Sequence, residues 1–144
     1  MRNILFRGKH INTGEWIEGN YEYYHKPKKY IISNPYTGET KGVIPETVGQ
    51  YTGLTDMNGK KIFEGDICQV VYTDRMCDTD GKHYENEHEM FEEVVFEKGT
   101  YCFKITFEDI ALYRPIGFEI YEKQKIKYFK VIGNIHDNPE LLEV

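Results

Sequence analysis

Seven side chains able to bind a metal or move a proton crowd one short segment: Asp74, Asp78, Asp80, His83, Glu85, Glu87 and His88. Dense oxygen donors suit calcium, and D-T-D-G-K at 78–82 carries two acids and a glycine in the manner of a calcium loop. The spacing argues against that chemistry. The glycine follows the second acid directly, at the fourth place from Asp78 rather than the sixth. A helical zinc pair needs histidines at i and i+4, whereas His83 and His88 are five apart. Residues 74–93 therefore read as a solvated acidic excursion loop, with 85–93 a candidate short helix. No metal or cofactor is expected.

Nucleophilic chemistry is no better supplied. Ser33 is the single serine and stands in an S-N-P turn, without a G-x-S-x-G setting. Cys68, Cys77 and Cys102 would each need a neighbouring His to act as nucleophiles. Cys68 and Cys102 lie in apolar runs, where a buried, inert thiol is the simpler reading. Glu64 and Asp66 flank Gly65 and could converge as general acid and base, the basis for a hydrolase reading. Acids at a tight corner more simply accept hydrogen bonds from their own backbone. The phosphate-cradling spacing G-x-x-x-x-G-K-[ST] is absent. The chain is expected not to be an enzyme.

Two strips of lysine and tyrosine could hold single-stranded nucleic acid by stacking and phosphate contact. One comprises Tyr23, Tyr24, His25, Lys26, Lys28, Lys29 and Tyr30. The other comprises Lys123, Lys125, Lys127, Tyr128 and Lys130, with Tyr121 and Phe129 interleaved. Period-2 alternation predicts Lys125, Lys127 and Phe129 on one face and Ile126 and Tyr128 on the other. The overall balance opposes this use: 18 basic residues face 24 acidic ones, for a net charge of −6. A phosphate-binding protein gains affinity from a basic face. Lysines on a strand also serve to blunt a sheet edge. With 12 tyrosines in an acidic chain, self-association or a protein partner explains the aromatics more readily, since Tyr is enriched at interfaces.

The elements that would position these groups are short strands. Residues 3–7, 15–24, 30–33, 67–72, 94–107, 117–122 and 126–135 read as extended runs, with Gly19 a candidate bulge and 94–107 turning at Lys98-Gly99. Pro45 is placed to open one helical turn, and 108–114 is a candidate for another. Asn58-Gly59 is a strong hairpin signal, because a type I′ turn needs positive φ at both central positions. Aromatic and β-branched enrichment favours strands. The pattern predicts a mainly β protein: a small barrel-like architecture, SH3-like or pseudobarrel, of seven to nine short strands with one or two short helical turns. A chain of 144 residues fits a single domain over 1–144.

Three cysteines without a C-x-x-C pair fit a reducing cytoplasm. No secretory leader is expected after Met1, and no apolar run approaches the roughly 20 residues that a membrane helix needs.

Two strings carry more specific information. Residues 47–67 read T-V-G-Q-x-T-G-L-x-D-x-N-G-x-x-I-x-E-G-D-I, and residues 131–141 read V-I-G-N-I-x-x-N-P-E-L, with F-R-G at 6–8. In these the chain resembles the YopX-like family of phage and prophage proteins. The resemblance implies an all-β, barrel-like fold, a bacterial host cytoplasm, and a partner that is a second copy or another phage or host protein. It implies no assigned activity. The residues that carry it read as a structural motif: Thr47, Gly49, Gln50, Gly53, Asp56, Asn58, Gly59, Glu64, Gly65 and Asp66, with Asn134 and Pro139 from the tail. Glycines there would steer consecutive corners, and the polar side chains would cap backbone amides. The expected function is that of a non-enzymatic phage or prophage accessory protein, a self-associating or protein-binding β module. The alternative is a single-strand nucleic-acid binder.

Overall fold

The computed structural model describes residues 3–117 and 126–143. The chain is mainly β. Eleven strands run in chain order: β1 (Phe6–Lys9), β2 (Trp16–His25), β3 (Lys28–Ser33), β4 (Thr40–Gly42), β5 (Gly49–Thr55), β6 (Lys61–Phe63), β7 (Asp66–Cys77), β8 (His83–Glu97), β9 (Thr100–Phe107), β10 (Ile110–Pro115) and β11 (Ile126–Asn134). The described residues include two 3-10 turns, Pro45–Thr47 and Pro139–Leu142, each opened by its proline.

The strands form a six-stranded sheet in the order β4-β3-β2-β1-β5-β6 and a five-stranded sheet in the order β10-β9-β8-β7-β11. Among the described residues neither sheet closes, so the barrel-like expectation gives way to two open antiparallel sheets. The nearest approach to closure is a single bridge between His10 and Val43. The strand number also exceeds the expected seven to nine. Two compact units are distinguishable: Met1–Leu54 with Lys61–Glu64, and Thr55–Lys60 with Gly65–Val144.

In the first unit, β2 changes partner midway. It pairs with β1 from Trp16 to Gly19 and with β3 from Asn20 to His25. Gly19 stands at this switch. A Cβ there would lie 2.2 Å from the Ser33 carbonyl oxygen, so close backbone approach, rather than a bulge, explains the glycine. Ile32, Val43, Ile62 and Phe63 are buried in this unit. The Arg7 guanidinium lies 4.6 Å from the Trp16 ring centroid and 4.8 Å from that of Phe63.

In the second unit, β7 and β8 form a long hairpin in continuous register from Ile67 opposite Glu93 to Cys77 opposite His83. The acidic segment 74–93 is thus a strand–turn–strand, where a loop and a short helix were expected. Most of its charges, the buried Glu92 apart, stand on open positions of a ladder that backbone hydrogen bonds hold, so composition hides the strand. Residues 108–109 likewise form a turn and 110–114 lie on β10, where a helical turn was expected. The hairpin at Lys98-Gly99 is as expected, with φ of 49° and 84° at the two residues. Ile67, Cys68, Val70, Val94, Phe103 and Phe129 are buried here, and Leu141 and Leu142 are half-buried on a 3-10 turn that packs against β8. The strand expected at 117–122 lies, from residue 118 on, outside the described residues.

Candidate functional site

Capped turns account for Asp56 of the structural motif and for Asp78 and Asp80 of the acidic segment. Asp56 accepts hydrogen bonds at Oδ1 from the amides of Asn58 and Lys60, both at 2.9 Å. Gly59 closes the turn with φ of 80°, its amide donating to the Asp56 carbonyl. Asp78 repeats the scheme on D-T-D-G-K: Oδ1 accepts from Asp80 at 3.0 Å and Lys82 at 2.8 Å, and Gly81 has φ of 80°. The calcium-like run is therefore a second copy of the D-x-x-G-K turn. Asn58 keeps an ordinary negative φ, so this turn is not the type I′ turn that Asn-Gly suggested. The Asp56 carboxylate, rather than a pair of left-handed residues, shapes it.

The remaining acidic candidates disperse along the β7–β8 hairpin. Asp74 Oδ2 lies 3.2 Å from His88 Nδ1, and Glu87 pairs with Lys127. His83 stands in register with Cys77, and Glu85 with Arg75. Among the described residues no three His, Cys, Asp or Glu side chains gather as a metal site. Cys68 and Cys102 are buried, and burial pushes both thiols above their ordinary pKa. Cys77 is free and exposed.

The structural motif divides between the two units. In the first, Thr47 Oγ1 accepts from the Lys9 amide at 2.9 Å and donates to the Ile44 carbonyl at 2.6 Å. A Cβ on Gly49 would sit 2.5 Å from the Glu64 carbonyl oxygen. Gln50 accepts at its carbonyl from the Glu64 amide, and Gly53 has φ of 86°. Glu64 is half-buried, and desolvation raises its carboxyl pKa. In the second unit, Gly65 has φ of 89°, and its amide donates to the Val94 carbonyl. Asp66 is buried opposite Asn134. Asn134 Oδ1 accepts from the His136 and Asp137 amides at 3.0 and 2.9 Å. Pro139 opens the last 3-10 turn. Asn58 Nδ2 donates to the Tyr128 hydroxyl at 3.4 Å.

Of the second basic strip, Tyr121, Lys123 and Lys125 lie outside the described residues. A register shift between Ile126 and Tyr128 makes Lys127 the extra residue of a bulge on β11. The bulge breaks the alternation, so Phe129 is buried while Lys127 is exposed. Bonding to Glu87 holds the Lys127 ammonium above its ordinary pKa. Lys130 lies 5.9 Å from the Tyr128 ring centroid. The first strip does gather. Tyr23 stacks on Tyr30 at 4.7 Å and 21°, His25 meets Tyr23 edge-on at 4.5 Å, and Lys28 lies 5.9 Å from the Tyr30 ring.

Two features escape a reading of the sequence. One is a polar cluster spanning β7, β8 and β10. The Tyr72 hydroxyl donates to Glu92 Oε2 at 2.8 Å, and Arg114 donates to both the Tyr72 oxygen and Glu92 Oε1. The guanidinium lies 4.5 Å from the Tyr72 ring centroid, and His88 stacks on the same ring at 5.3 Å. Glu92 is fully buried. Its alternation with the buried Val94 was the available signal, masked because Glu93 adjoins it.

The other feature is an apolar edge that has no further strand beside it among the described residues. β10 ends the second sheet with β9 as its neighbour. Phe107, Ile110 and Leu112 are 70%, 61% and 55% exposed, and Tyr113 is exposed beside them. The run I-A-L-Y, uncharged and short of a proline, was the trace of this edge in the sequence.

A protein-family model described as YopX protein matches residues 5–143. No curated protein matches the chain. Among solved structures, that of protein EF1440 from Enterococcus faecalis is similar. It is 24% identical, with 99% of this chain and 100% of that chain covered at a TM-score of 0.52. At that identity the likeness speaks for the fold. Among the described residues no helix is long and apolar enough to cross a membrane.

Proposed function

Because the chain belongs to the YopX family, we propose that it is a non-enzymatic phage or prophage accessory protein of the bacterial cytoplasm that works by binding protein, a second copy of itself first. The observation that carries this reading is the exposed apolar edge at Phe107, Ile110 and Leu112. Contiguous exposed apolar surface marks interaction sites on soluble domains. Three of the acidic side chains have structural partners: Asp56 and Asp78 cap turns, and Glu92 is held by Tyr72 and Arg114. Sedimentation velocity of the unmodified chain and of an Ile110→Lys, Leu112→Lys double variant tests the reading. The unmodified chain sediments as a dimer or larger species, and the variant as a folded monomer. A monomer at every concentration of the unmodified chain overturns self-association.

A second reading is favoured by the Tyr23–Tyr30 stack with His25 and Lys28 beside it. This is a small platform on which a single-stranded base could stack, with a cation near the phosphate. The net charge of −6 opposes it. Titrating a labelled single-stranded oligonucleotide at low salt separates the two readings. Binding that falls steeply with added salt and is lost in Tyr23→Ala supports nucleic acid; binding indifferent to salt or to that substitution counts against it.

A further inference from the structure

The two edges of the second sheet are built differently. β11 carries register shifts between Ile126 and Tyr128 and between Val131 and Gly133, together with Lys127 and Lys130. Bulges and lysines of this kind keep an edge from pairing with another chain. β10 has neither. It pairs with β9 without interruption from Ile110 to Pro115, carries no charge from Ile110 to Tyr113, and exposes all three of its large apolar side chains. Among the described residues its outer side has no strand partner.

The hydrogen-bond phase of that outer side follows from the hairpin. Phe107 and Ile110 are paired across the two-residue turn Glu108-Asp109, with φ of 52° at Glu108. A two-residue connection closes on a pair that exchanges both backbone bonds, and such pairs alternate along an antiparallel ladder. Ile110, Leu112 and Arg114 therefore turn their N–H and C=O groups toward β9, while Ala111, Tyr113 and Pro115 turn outward. Pro115 agrees with this phase. Proline has no N–H, and on an edge strand it occupies positions where that group would face away from the sheet.

We infer that β10 pairs antiparallel with β10 of a second copy about a two-fold axis at Leu112. Bonds across the axis require outward residues to face outward residues. Centring on Leu112 sets Ala111 opposite Tyr113 of the second copy, and Tyr113 opposite its Ala111, for four backbone bonds. Centring on Tyr113 would spend Ala111 on Pro115, which has no donor. Centring on Ala111 would need the turn residue Asp109 as a partner. In the chosen register the two Leu112 side chains meet in a non-hydrogen-bonded pair, with Cα atoms about 4.5 Å apart. The run Ile110–Tyr113 is uncharged and β10 carries no acid, so two copies of net charge −6 approach without opposing carboxylates on the meeting strands. This inference rests on the self-binding reading above and supplies its geometry.

Cysteine cross-linking tests it in the full chain with Cys77→Ser, which removes the exposed native thiol. Under mild air oxidation Leu112→Cys forms a disulfide-linked dimer on a non-reducing gel, while Ala111→Cys and Tyr113→Cys do not. A dimer in sedimentation with no cross-link at 112, or with cross-linking at 111 or 113 instead, overturns the β10 register and leaves self-association standing. A monomer in sedimentation overturns both. Sedimentation of each variant beside its parent confirms that it is folded and separates a lost cross-link from a lost fold.

Discussion

Replacing Arg114 with methionine lowers the unfolding free energy by about 3–5 kcal/mol, because it leaves the Glu92 carboxylate buried without its cation. Glu92 is fully buried, whereas the Arg114 side chain is 29% exposed. The two partners are therefore not equivalent. Glu92→Gln leaves a guanidinium that can still reach water, so its loss is smaller than that of Arg114→Met. The double variant Glu92→Met, Arg114→Met recovers much of the deficit, since well-packed apolar residues often replace a buried ion pair at little cost. Urea titrations of the three variants measure this. A loss from Arg114→Met no larger than that from Glu92→Gln refutes the account. At the scale of this chain the larger loss corresponds to a drop in Tm on the order of 10 °C.

The same chain contains its own control for the second large effect. Asp56→Ala removes a buried carboxylate that accepts three backbone amides: Asn58 and Lys60 within its turn, and Val131 on β11, which reaches Oδ2 at 2.9 Å. Hydrogen bonds to a charged group contribute roughly 1.5–3 kcal/mol each, and donors left unsatisfied when buried cost similar amounts. A loss on the order of 3–4 kcal/mol is expected. Asp78→Ala deletes the matching cap of the other D-x-x-G-K turn, at an exposed hairpin tip where water replaces the carboxylate, so its effect is expected to stay below about 1 kcal/mol. Thermal melts of the two alanine variants decide the matter. Equal shifts would mean that the Val131 contact contributes nothing.

These turns show how much was legible beforehand. A capping Asp56 and a glycine corner at Gly59 were readable as local chemistry, and so were the Pro45-opened 3-10 turn and the Lys98-Gly99 hairpin. The acidic part of β8, residues 83–93, was not legible, because a ladder satisfies its backbone whatever side chains face water. Lys127 and Phe129 were misassigned because one inserted residue at a bulge reverses which face follows. Nor did the Tyr–Lys strips announce which would gather. Tyr23 and Tyr30 do so because the β2–β3 register sets them opposite each other.

Local sequence alone determined that this chain is built of strands joined by side-chain-capped turns, because dihedral preference and Asx hydrogen bonding act over five residues or fewer. Three things were left to the tertiary structure. They are the opening of the strands into two sheets rather than a barrel, the burial of Glu92 under Arg114, and the exposure of I-A-L-Y on an unguarded edge. Each depends on which strands become neighbours, and pairing between segments far apart in the chain is set by the whole packed arrangement.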